Sequence, residues 1–539
     1  MRRLHRPHLW LLALILLAAM WLRLASIGFG LPALNDPDEL MFELGAMRML
    51  RGPTLNPGWF GHPATTTMYL LALVDASVFL AGWLAGRFPT PGAFAEAIYA
   101  DPSWMILPGR IAMTVCALGV IILTYRLTER LASRRAAVFA AALLAASPVH
   151  ITYSQIIRSD MMACLFLLLA LLSALDIAER DRRSDLLRAA LWTAAAVTTK
   201  WPFALAVLPV AGAIAMQWTQ ARITARQAGL RLAGLAAATL IVILLLSPYL
   251  LLDYPTVLRN LSGEGQSRHL GSNGGDFLYN AGWYLNGPMQ QGLSLPGLIL
   301  VVPGALLLWR DLRVRLLLIP LILTFFLLIC SQAIIWERWA LPLLPLCAIL
   351  IAAAVSALAA RAGPRFSTAA PLLALLAMVA PMLFQAKADA TERMNDTRQI
   401  ASAWARAHVP AGSTVLIEHF AFDLVQQPWH FLFPLGDAGC VDAKEMLRGR
   451  VAYGSIDKAR GARSNIDYGT MAPSMRASCR ADFAILTQYD RYRRERHVFP
   501  AEYAAYRDLL SHARIVATFA PAPGKRGGRI VTIVAFDRR

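Results

Sequence analysis

Long apolar stretches, separated by short polar segments rich in arginine, recur along the first 385 residues of the chain. A bilayer core of about 30 Å needs roughly 20 apolar residues in a helix, and most of these stretches approach that length. They cover residues 9–27, 105–126, 136–150, 160–178, 187–200, 202–218, 230–250, 294–309, 316–332, 339–357 and 366–384. The pattern predicts an α-helical polytopic membrane protein with about eleven transmembrane helices.

The composition agrees with a membrane protein, because 57% of the residues are hydrophobic, 16% are charged, and the mean hydropathy is +0.49. A formal net charge of +18 raises the question of nucleic acid as a partner. The basic residues, however, fall in short clusters between the apolar stretches and not in one stripe with interleaved aromatic residues. Nucleic-acid binding is therefore not expected.

Basic residues in the short loops predict the orientation, because cytoplasmic loops are enriched in lysine and arginine. The clusters lie at Arg126–Arg135, Arg180–Arg188, Arg222–Arg231, Arg310–Arg315 and Arg361–Arg365. They occupy alternate loops, which places these loops and the N-terminus in the cytoplasm. Residues 65–86 are also apolar enough to span, but a crossing there would put every arginine cluster outside. We therefore expect 65–86 to lie in the outer interface or to re-enter.

Because successive transmembrane helices cross in opposite directions, the same count of crossings places the C-terminal segment outside the cytoplasm. Its apolar runs shorten to strand-like pieces at 414–417, 483–486 and 529–536, separated by helical stretches near 395–408 and 501–512. The sequence thus predicts a transmembrane domain over 1–385, whose first outer loop 28–104 carries interfacial helices, and a small periplasmic α/β domain over 386–539. The high alanine and arginine content is typical of a GC-rich bacterial genome, and we expect the bacterial inner membrane as the location.

Two of the six cysteines, Cys440 and Cys479, lie in the predicted outer domain. An oxidising compartment favours their pairing as a disulfide, and two free thiols are the alternative. The other cysteines lie in predicted membrane helices, where a thiol is typically a small packing residue.

Three carboxylates, Asp36, Asp38 and Glu39, follow the first predicted helix, and Asp160 opens the stretch 160–178. A carboxylate at the membrane boundary can act as general base on an acceptor hydroxyl or amine. The alternative is helix capping, with a local pair between Arg158 and Asp160. Asp38 and Asp160 could also hold a divalent metal ion through oxygen ligands. The residues alone leave these alternatives open.

Cationic or imidazole side chains recur in the segments predicted at the same outer face. They are His62, Arg158, Lys200, Arg268, His269 and Arg338. Any one of the longer side chains can simply extend to the interface. Together they would form a phosphate site through charge-assisted hydrogen bonds.

The chain has no nucleotide-binding glycine-rich motif and no standard protease motif, so an enzyme of this kind would take its energy from an activated substrate. The distinctive elements are Asp38-Glu39, Gly61-His62-Pro63, Arg110, Ser147-Pro148, Arg158-x-Asp160, Thr199-Lys200, Arg268-His269 and Glu337-Arg338-Trp339. In order and placement they resemble the membrane glycosyltransferases of the C-type fold that use polyprenyl-phosphate-linked sugars. This is the protein O-mannosyltransferase superfamily (glycosyltransferase family 39), which includes the lipid A aminoarabinose transferase.

The resemblance implies that Asp38 is the catalytic base, accompanied by Glu39 and Asp160. It also implies that the donor phosphate is held by the basic residues of the outer face, namely His62, Arg158, Lys200, Arg268, His269 and Arg338. The chain departs from the family pattern at Ala64, where a second proline is common, and at Trp339, where tyrosine is commoner.

We therefore expect an inverting hexosyl- or pentosyltransferase that moves a sugar from a polyprenyl-phosphate donor to a glycan, lipid or protein acceptor. The alternative is a transporter or flippase of a lipid-linked sugar. Transporters tend to place charges at the membrane midplane and to show inverted repeats. The predicted charges gather at one face instead, which favours the enzyme.

Overall fold

The structure, a computed structural model, describes residues 7–52, 54–180, 182–361, 369–419, 421–442, 444–445 and 466–536, without the side chain of Arg183. Arg365, which belongs to one predicted cytoplasmic cluster, lies outside these ranges. The described N-terminal part is helical. Its α-helices are α1 (Pro7–Leu24), α2 (Pro37–Arg51), α3 (Thr65–Leu84), α4 (Pro91–Ala100), α5 (Ser103–Leu131), α6 (Arg134–Ala145), α7 (Pro148–Ser154), α8 (Ser159–Arg180), α9 (Arg183–Thr199), α10 (Val207–Thr219), α11 (Ala225–Leu246), α12 (Tyr249–Leu252), α13 (Tyr254–Glu264), α14 (Phe277–Tyr284), α15 (Gln290–Leu293), α16 (Leu295–Leu308), α17 (Ile319–Cys330), α18 (Leu343–Arg361) and α19 (Ala369–Met394).

Eight helices of the described chain are long and apolar enough to cross a membrane, and two bent pairs bring the number to ten. One pair, α6 with α7, bends by 63°. Ser147 caps α7 there and Pro148 opens it, which breaks the helix because proline cannot donate to the preceding turn. The polytopic helical fold is confirmed, whereas the number of about eleven spans stays a prediction.

Charged side chains gather at both ends of the helix bundle. At one end, Arg130 pairs with Asp176 (2.8 Å) and Glu179 (2.7 Å), and Arg313 pairs with Glu179 (2.8 Å). These contacts join loops that the sequence places in the cytoplasm. Asp160 lies at the opposite end of α8, about 28 Å away at 1.5 Å per residue. We call this opposite end the outer end.

Both ends of α3 contact the outer end of the bundle. At its start, Thr66 Oγ1 lies 2.5 Å from Oγ1 of Thr199, the last residue of α9. Just beyond its end, the guanidinium of Arg87 lies 4.2 Å from the ring of Trp104, in the first turn of α5. An apolar helix about 30 Å long thus starts and finishes on one side. This path favours the prediction that residues 65–86 do not cross the membrane.

The C-terminal part folds around a six-stranded sheet in the order β3-β2-β1-β4-β6-β5. The strands are β1 (Thr414–Ile417), β2 (His430–Pro434), β3 (Cys440–Asp442), β4 (Phe483–Leu486), β5 (Ala513–Phe519) and β6 (Val531–Phe536), with helices α20 (Thr397–His408), α21 (Tyr489–Arg494) and α22 (Pro500–Ser511). Strand β1 runs parallel to β2 and β4, and the remaining pairs are antiparallel. The small α/β domain is confirmed. Its predicted start at 386 stays a prediction, since α19 continues to Met394.

The central strand separates two apolar clusters, because successive side chains of a strand point to opposite faces. Val415 and Ile417 pack in one cluster and Leu416 in the other. Cys440 and Cys479 form a disulfide that joins the edge strand β3 to the turn before β4.

Candidate active site

The carboxylates of the first outer loop begin α2. Asp36 is the N-cap, since its side chain accepts a hydrogen bond from the Asp38 amide at 3.1 Å, and Pro37 takes the first helical position. The capping alternative therefore applies to Asp36. Asp38 and Glu39 lie in the first turn and have different surroundings.

Glu39 is held in a buried ion pair. Nε and Nη2 of Arg110 donate to its two carboxylate oxygens at 2.8 and 2.6 Å, and the Ile157 amide donates at 3.0 Å. Arg110 Nη1 donates to the carbonyls of Ile27 and Phe29 at 2.7 and 2.8 Å. Both partners are fully buried, and Glu39 does not line the cavities described below. Both carboxylate oxygens of Glu39 are thus bonded within the protein, whereas the sequence grouped Glu39 with the catalytic residues.

Asp38 is half-buried and ion-paired. Arg158 Nη1 donates to Asp38 Oδ2 at 2.5 Å, while Nη2 donates to both oxygens of Asp36 at 3.1 Å. The Asp38 side chain is 47% exposed. Burial alone would raise the pKa of Asp38, but the guanidiniums of Arg158 and Arg338 outweigh it and hold the pKa below its ordinary value. Asp38 is therefore an ionised carboxylate at neutral pH.

Two motifs from distant parts of the chain meet in a short backbone bridge. Pro63 and Lys200 pair in antiparallel fashion, and the Trp201 amide donates to the His62 carbonyl at 2.6 Å. The His62 ring packs edge-on against Trp59, with 5.1 Å between ring centroids. Burial, together with the nearby ammonium of Lys200, lowers the pKa of His62 to about 3. His62 thus brings a neutral imidazole to the site.

Lys200, Asp160 and Arg338 form a buried cluster beside this bridge. Lys200 Nζ donates to Asp160 Oδ1 at 2.5 Å, whereas Arg338 Nε lies 4.0 Å from Asp160 Oδ2, beyond hydrogen-bond distance. The three side chains are 5%, 4% and 10% exposed, respectively. The charge of Asp160 is therefore balanced by Lys200, and Arg338 remains as an additional cation.

The Arg338 side chain makes no hydrogen bond with any residue in the described ranges, and its Nε is buried without a partner. Its guanidinium lies 4.2 Å from the ring of Trp336, which contacts the His269 ring at 5.0 Å. A buried guanidinium that lacks a bonded acceptor is costly unless a ligand supplies one.

Arg268 is not brought into this cluster. Its Nη1 donates to the Val498 carbonyl at 3.2 Å, and its guanidinium lies 5.4 Å from the Phe499 ring. It contacts the C-terminal domain and lines neither cavity, whereas the adjacent His269 does line the larger one.

Two cavities meet at Lys200 and Arg338. The larger, of about 1140 Å³, lies between the outer end of the bundle and the C-terminal domain, and its lining includes Asp38, His62 and Arg158. The smaller, of about 100 Å³, is lined by Asp160, Lys200 and Arg338 on one side. Its other lining residues are apolar apart from Gln332 and include Phe203, Phe325, Leu328, Ile329 and Pro342. The arrangement suits a ligand with an anionic group and an apolar tail.

The two carboxylates considered for a divalent ion already face cations, Arg158 at Asp38 and Lys200 at Asp160. Within the part of the chain that the structure describes, no group of three or more His, Cys, Asp or Glu side chains is arranged to hold a metal ion. These residues do not fit a divalent-metal site.

The sequence did not single out the basic residues that line the larger cavity from the C-terminal domain. Arg398, His419, Arg491 and Arg529 line it from the C-terminal domain. They lie far from the outer-loop motifs along the chain and belong to no recognised pattern, so only the folded domain reveals them.

The comparisons with known proteins agree with this architecture. Residues 94–251 match the family model described as dolichyl-phosphate-mannose-protein mannosyltransferase. No curated protein has a significantly similar sequence.

Solved structures share the fold over nearly the whole chain. ArnT from Cupriavidus metallidurans bound to undecaprenyl phosphate has a TM-score of 0.54 and 14% identity, over 98% of this chain and 97% of that chain. The oligosaccharyltransferase of Archaeoglobus fulgidus tethered with an acceptor peptide has a TM-score of 0.53 and 12% identity, over 98% and 74%. The chain therefore has the fold of the C-type membrane glycosyltransferases, and the resemblance inferred from the sequence is confirmed at that level.

Proposed function

We propose that this chain is an inverting glycosyltransferase that moves a sugar from a polyprenyl-phosphate donor to an acceptor at the periplasmic face of a bacterial inner membrane. The observation that carries the proposal is the buried guanidinium of Arg338, which has no hydrogen-bond partner among the described residues and lies where the polar and apolar cavities meet. The fold supports it, since one protein that shares this fold is described as bound to undecaprenyl phosphate.

Arg338 and Lys200 hold the donor phosphate in this proposal. A guanidinium presents a planar fork that matches two phosphate oxygens, and a lysine ammonium has three donors of which Lys200 uses one on Asp160. Arg158 pairs with both Asp36 and Asp38, so its assigned role is to hold the base Asp38 in place. His62 and His269 supply neutral or polar contacts at the edge of the same cavity.

The apolar cavity receives the first part of the polyprenyl chain. It lies beside Phe203, which follows Lys200, and beside Phe325 and Ile329 of α17. A lipid tail that starts at the phosphate would leave the protein laterally between these elements. Membrane lipids are therefore the source of the donor.

The chemistry is a single displacement. An acceptor hydroxyl or amine attacks the anomeric carbon, the bond from that carbon to the phosphate oxygen breaks, and the phosphate leaves with the bonding electrons. Asp38 takes the acceptor proton, and the cations stabilise the charge that develops on the phosphate. One displacement inverts the anomeric configuration. Glu39 acts indirectly, because its pair with Arg110 fixes the first turn of α2.

The test uses purified protein with a polyprenyl-phosphate-linked sugar pool extracted from native membranes. We expect wild-type protein to bind the lipid in native mass spectrometry and, with native membranes as acceptor source, to release free polyprenyl phosphate. Asp38→Asn should keep lipid binding and lose the release. The matched control is Glu96→Gln, which removes an exposed carboxylate of α4. Lipid binding without any release by wild-type protein would favour the transporter alternative.

A further inference from the structure

The wall of the large cavity opposite the proposed donor site belongs to the C-terminal domain and is cationic. Arg398, Arg491 and Arg529 line it, together with His419 and Glu418. The wall connects to the donor site through the segment 269–271, since Arg491 Nη2 donates to the Leu270 carbonyl at 2.6 Å.

The carboxylates of this wall are already satisfied by the protein. Asp396 accepts from Nε and Nη2 of Arg398 at 2.9 and 2.7 Å. Glu418 accepts from the amides of Thr487 (2.8 Å) and Gln488 (3.2 Å), with further donors at Tyr468 and Tyr506. Arg398 is thus balanced by Asp396, and these oxygens do not pair with the other cations.

Two groups of the wall, by contrast, have no partner in the described ranges. The guanidinium of Arg529 makes no hydrogen bond or ion pair there, and both ring nitrogens of His419 are buried without a hydrogen-bond partner. Burial and the neighbouring Arg398 lower the pKa of His419 to about 3, so this ring offers a neutral N–H donor. Burial and the neighbouring Arg491 and Arg398 lower the pKa of Arg529 to about 9, which still leaves it protonated at neutral pH.

The backbone fixes Arg529 in this place. Gly528 has a φ of +90°, and a Cβ there would lie 2.4 Å from Thr397 Oγ1 and 2.5 Å from Asp396 Oδ1. Thr397 Oγ1 donates to the Arg529 carbonyl at 2.5 Å. The turn before β6 is therefore locked against the start of α20, and Arg529 is presented to the cavity by a rigid support.

We propose that Arg529, with Arg491 and His419, binds a phosphate or carboxylate group of the acceptor. The proposal rests on the proposed function, because it assigns this wall to the second substrate of the same cavity. An anionic acceptor held here would have its attacking group between the wall and Asp38. A guanidinium and an imidazole N–H that lack protein acceptors suit such an oxyanion, because charge-assisted hydrogen bonds are the strong ones.

The test distinguishes the proposed acceptor site from the donor phosphate site by saturating the donor phosphate site before the second anion is added. Purified protein is saturated with undecaprenyl phosphate and then titrated calorimetrically with inorganic phosphate, and in a second series with acetate. We expect the added anion to bind wild-type protein that already holds undecaprenyl phosphate. Its affinity for Arg529→Gln should be at least tenfold lower than for wild type, and Arg529→Lys should retain part of the wild-type affinity. Stronger binding of phosphate than of acetate would identify the acceptor group as a phosphate, and the reverse order would identify it as a carboxylate.

The matched control is Arg507→Gln, which removes an exposed arginine of α22 and should leave phosphate binding unchanged. No second anion in loaded wild-type protein, or equal affinity in wild type and Arg529→Gln, would overturn the proposal. So would a loss of undecaprenyl phosphate binding in Arg529→Gln, since it would assign the wall to the donor. Failure of wild-type protein to bind undecaprenyl phosphate at all would instead refute the proposed function.

Discussion

Replacement of Arg338 by glutamine should separate ligand binding from stability. The guanidinium is 10% exposed and has no hydrogen-bonded carboxylate, while Asp160 keeps Lys200 as its partner. The substitution therefore removes a cation without leaving a buried carboxylate unpaired. In the free protein the substitution loses the contact with Trp336, worth about 0.5–2 kcal/mol, and the 4.0 Å ion pair with Asp160, and both losses are offset by removal of a buried charge.

The expected effect on donor binding follows from the hydrogen bonds that Arg338 would make. A hydrogen bond to a charged group contributes about 1.5–3 kcal/mol, and about 1.4 kcal/mol is a tenfold change in affinity. Loss of one such bond predicts a dissociation constant about 10- to 150-fold higher. The free energy of unfolding without ligand should change by less than about 1 kcal/mol.

The assay is titration of purified protein with undecaprenyl phosphate, read by native mass spectrometry, together with thermal unfolding of the lipid-free protein. Arg259→Gln is the matched control, because it removes an exposed arginine of α13 that lines neither cavity. A dissociation constant of Arg338→Gln within twofold of wild type would refute the assignment of the phosphate site.

Two further predictions concern the other ion pairs of the site. Lys200→Met leaves the buried Asp160 without its 2.5 Å partner, so the free energy of unfolding should fall by about 3–5 kcal/mol in thermal or denaturant unfolding, and adding Asp160→Asn should restore most of it. An unchanged stability of Lys200→Met would contradict the ion pair. The pKa of Asp38 is held low by Arg158 and Arg338, so the base stays deprotonated as pH falls, and the transfer rate should decline only below about pH 4. In Arg158→Gln the pKa of Asp38 rises and the acid limb of the pH–rate profile should move to higher pH; an unmoved limb would mean that another group titrates.

The helical fold was predictable because apolar stretches near 20 residues are a strong signal. The C-terminal sheet was predicted only in part: β1, β4 and β6 are short, mostly apolar runs of largely buried residues, whereas β3 has three residues and β5 begins two residues after α22 ends. Such short or abutting strands depend on their neighbours in the sheet more than on their own pattern.

The residues of the candidate site were predictable where they belong to a recognisable sequence motif. Asp38, Lys200 and Arg338 were singled out by residue type at the outer ends of predicted helices, and the structure brings them together. The placement of Arg268 against Phe499 depends on how the C-terminal domain packs on the loop, which no local pattern encodes. The same holds for Arg529, whose position is set by contacts with Thr397.

The most direct test of the central claim is the rate at which membranes containing the protein consume an endogenous polyprenyl-phosphate-linked sugar, followed by mass spectrometry of extracted lipids. We predict that wild-type protein depletes the sugar-linked lipid and releases polyprenyl phosphate, and that Asp38→Asn at equal abundance does neither. Equal consumption by wild type and Asp38→Asn would contradict the account.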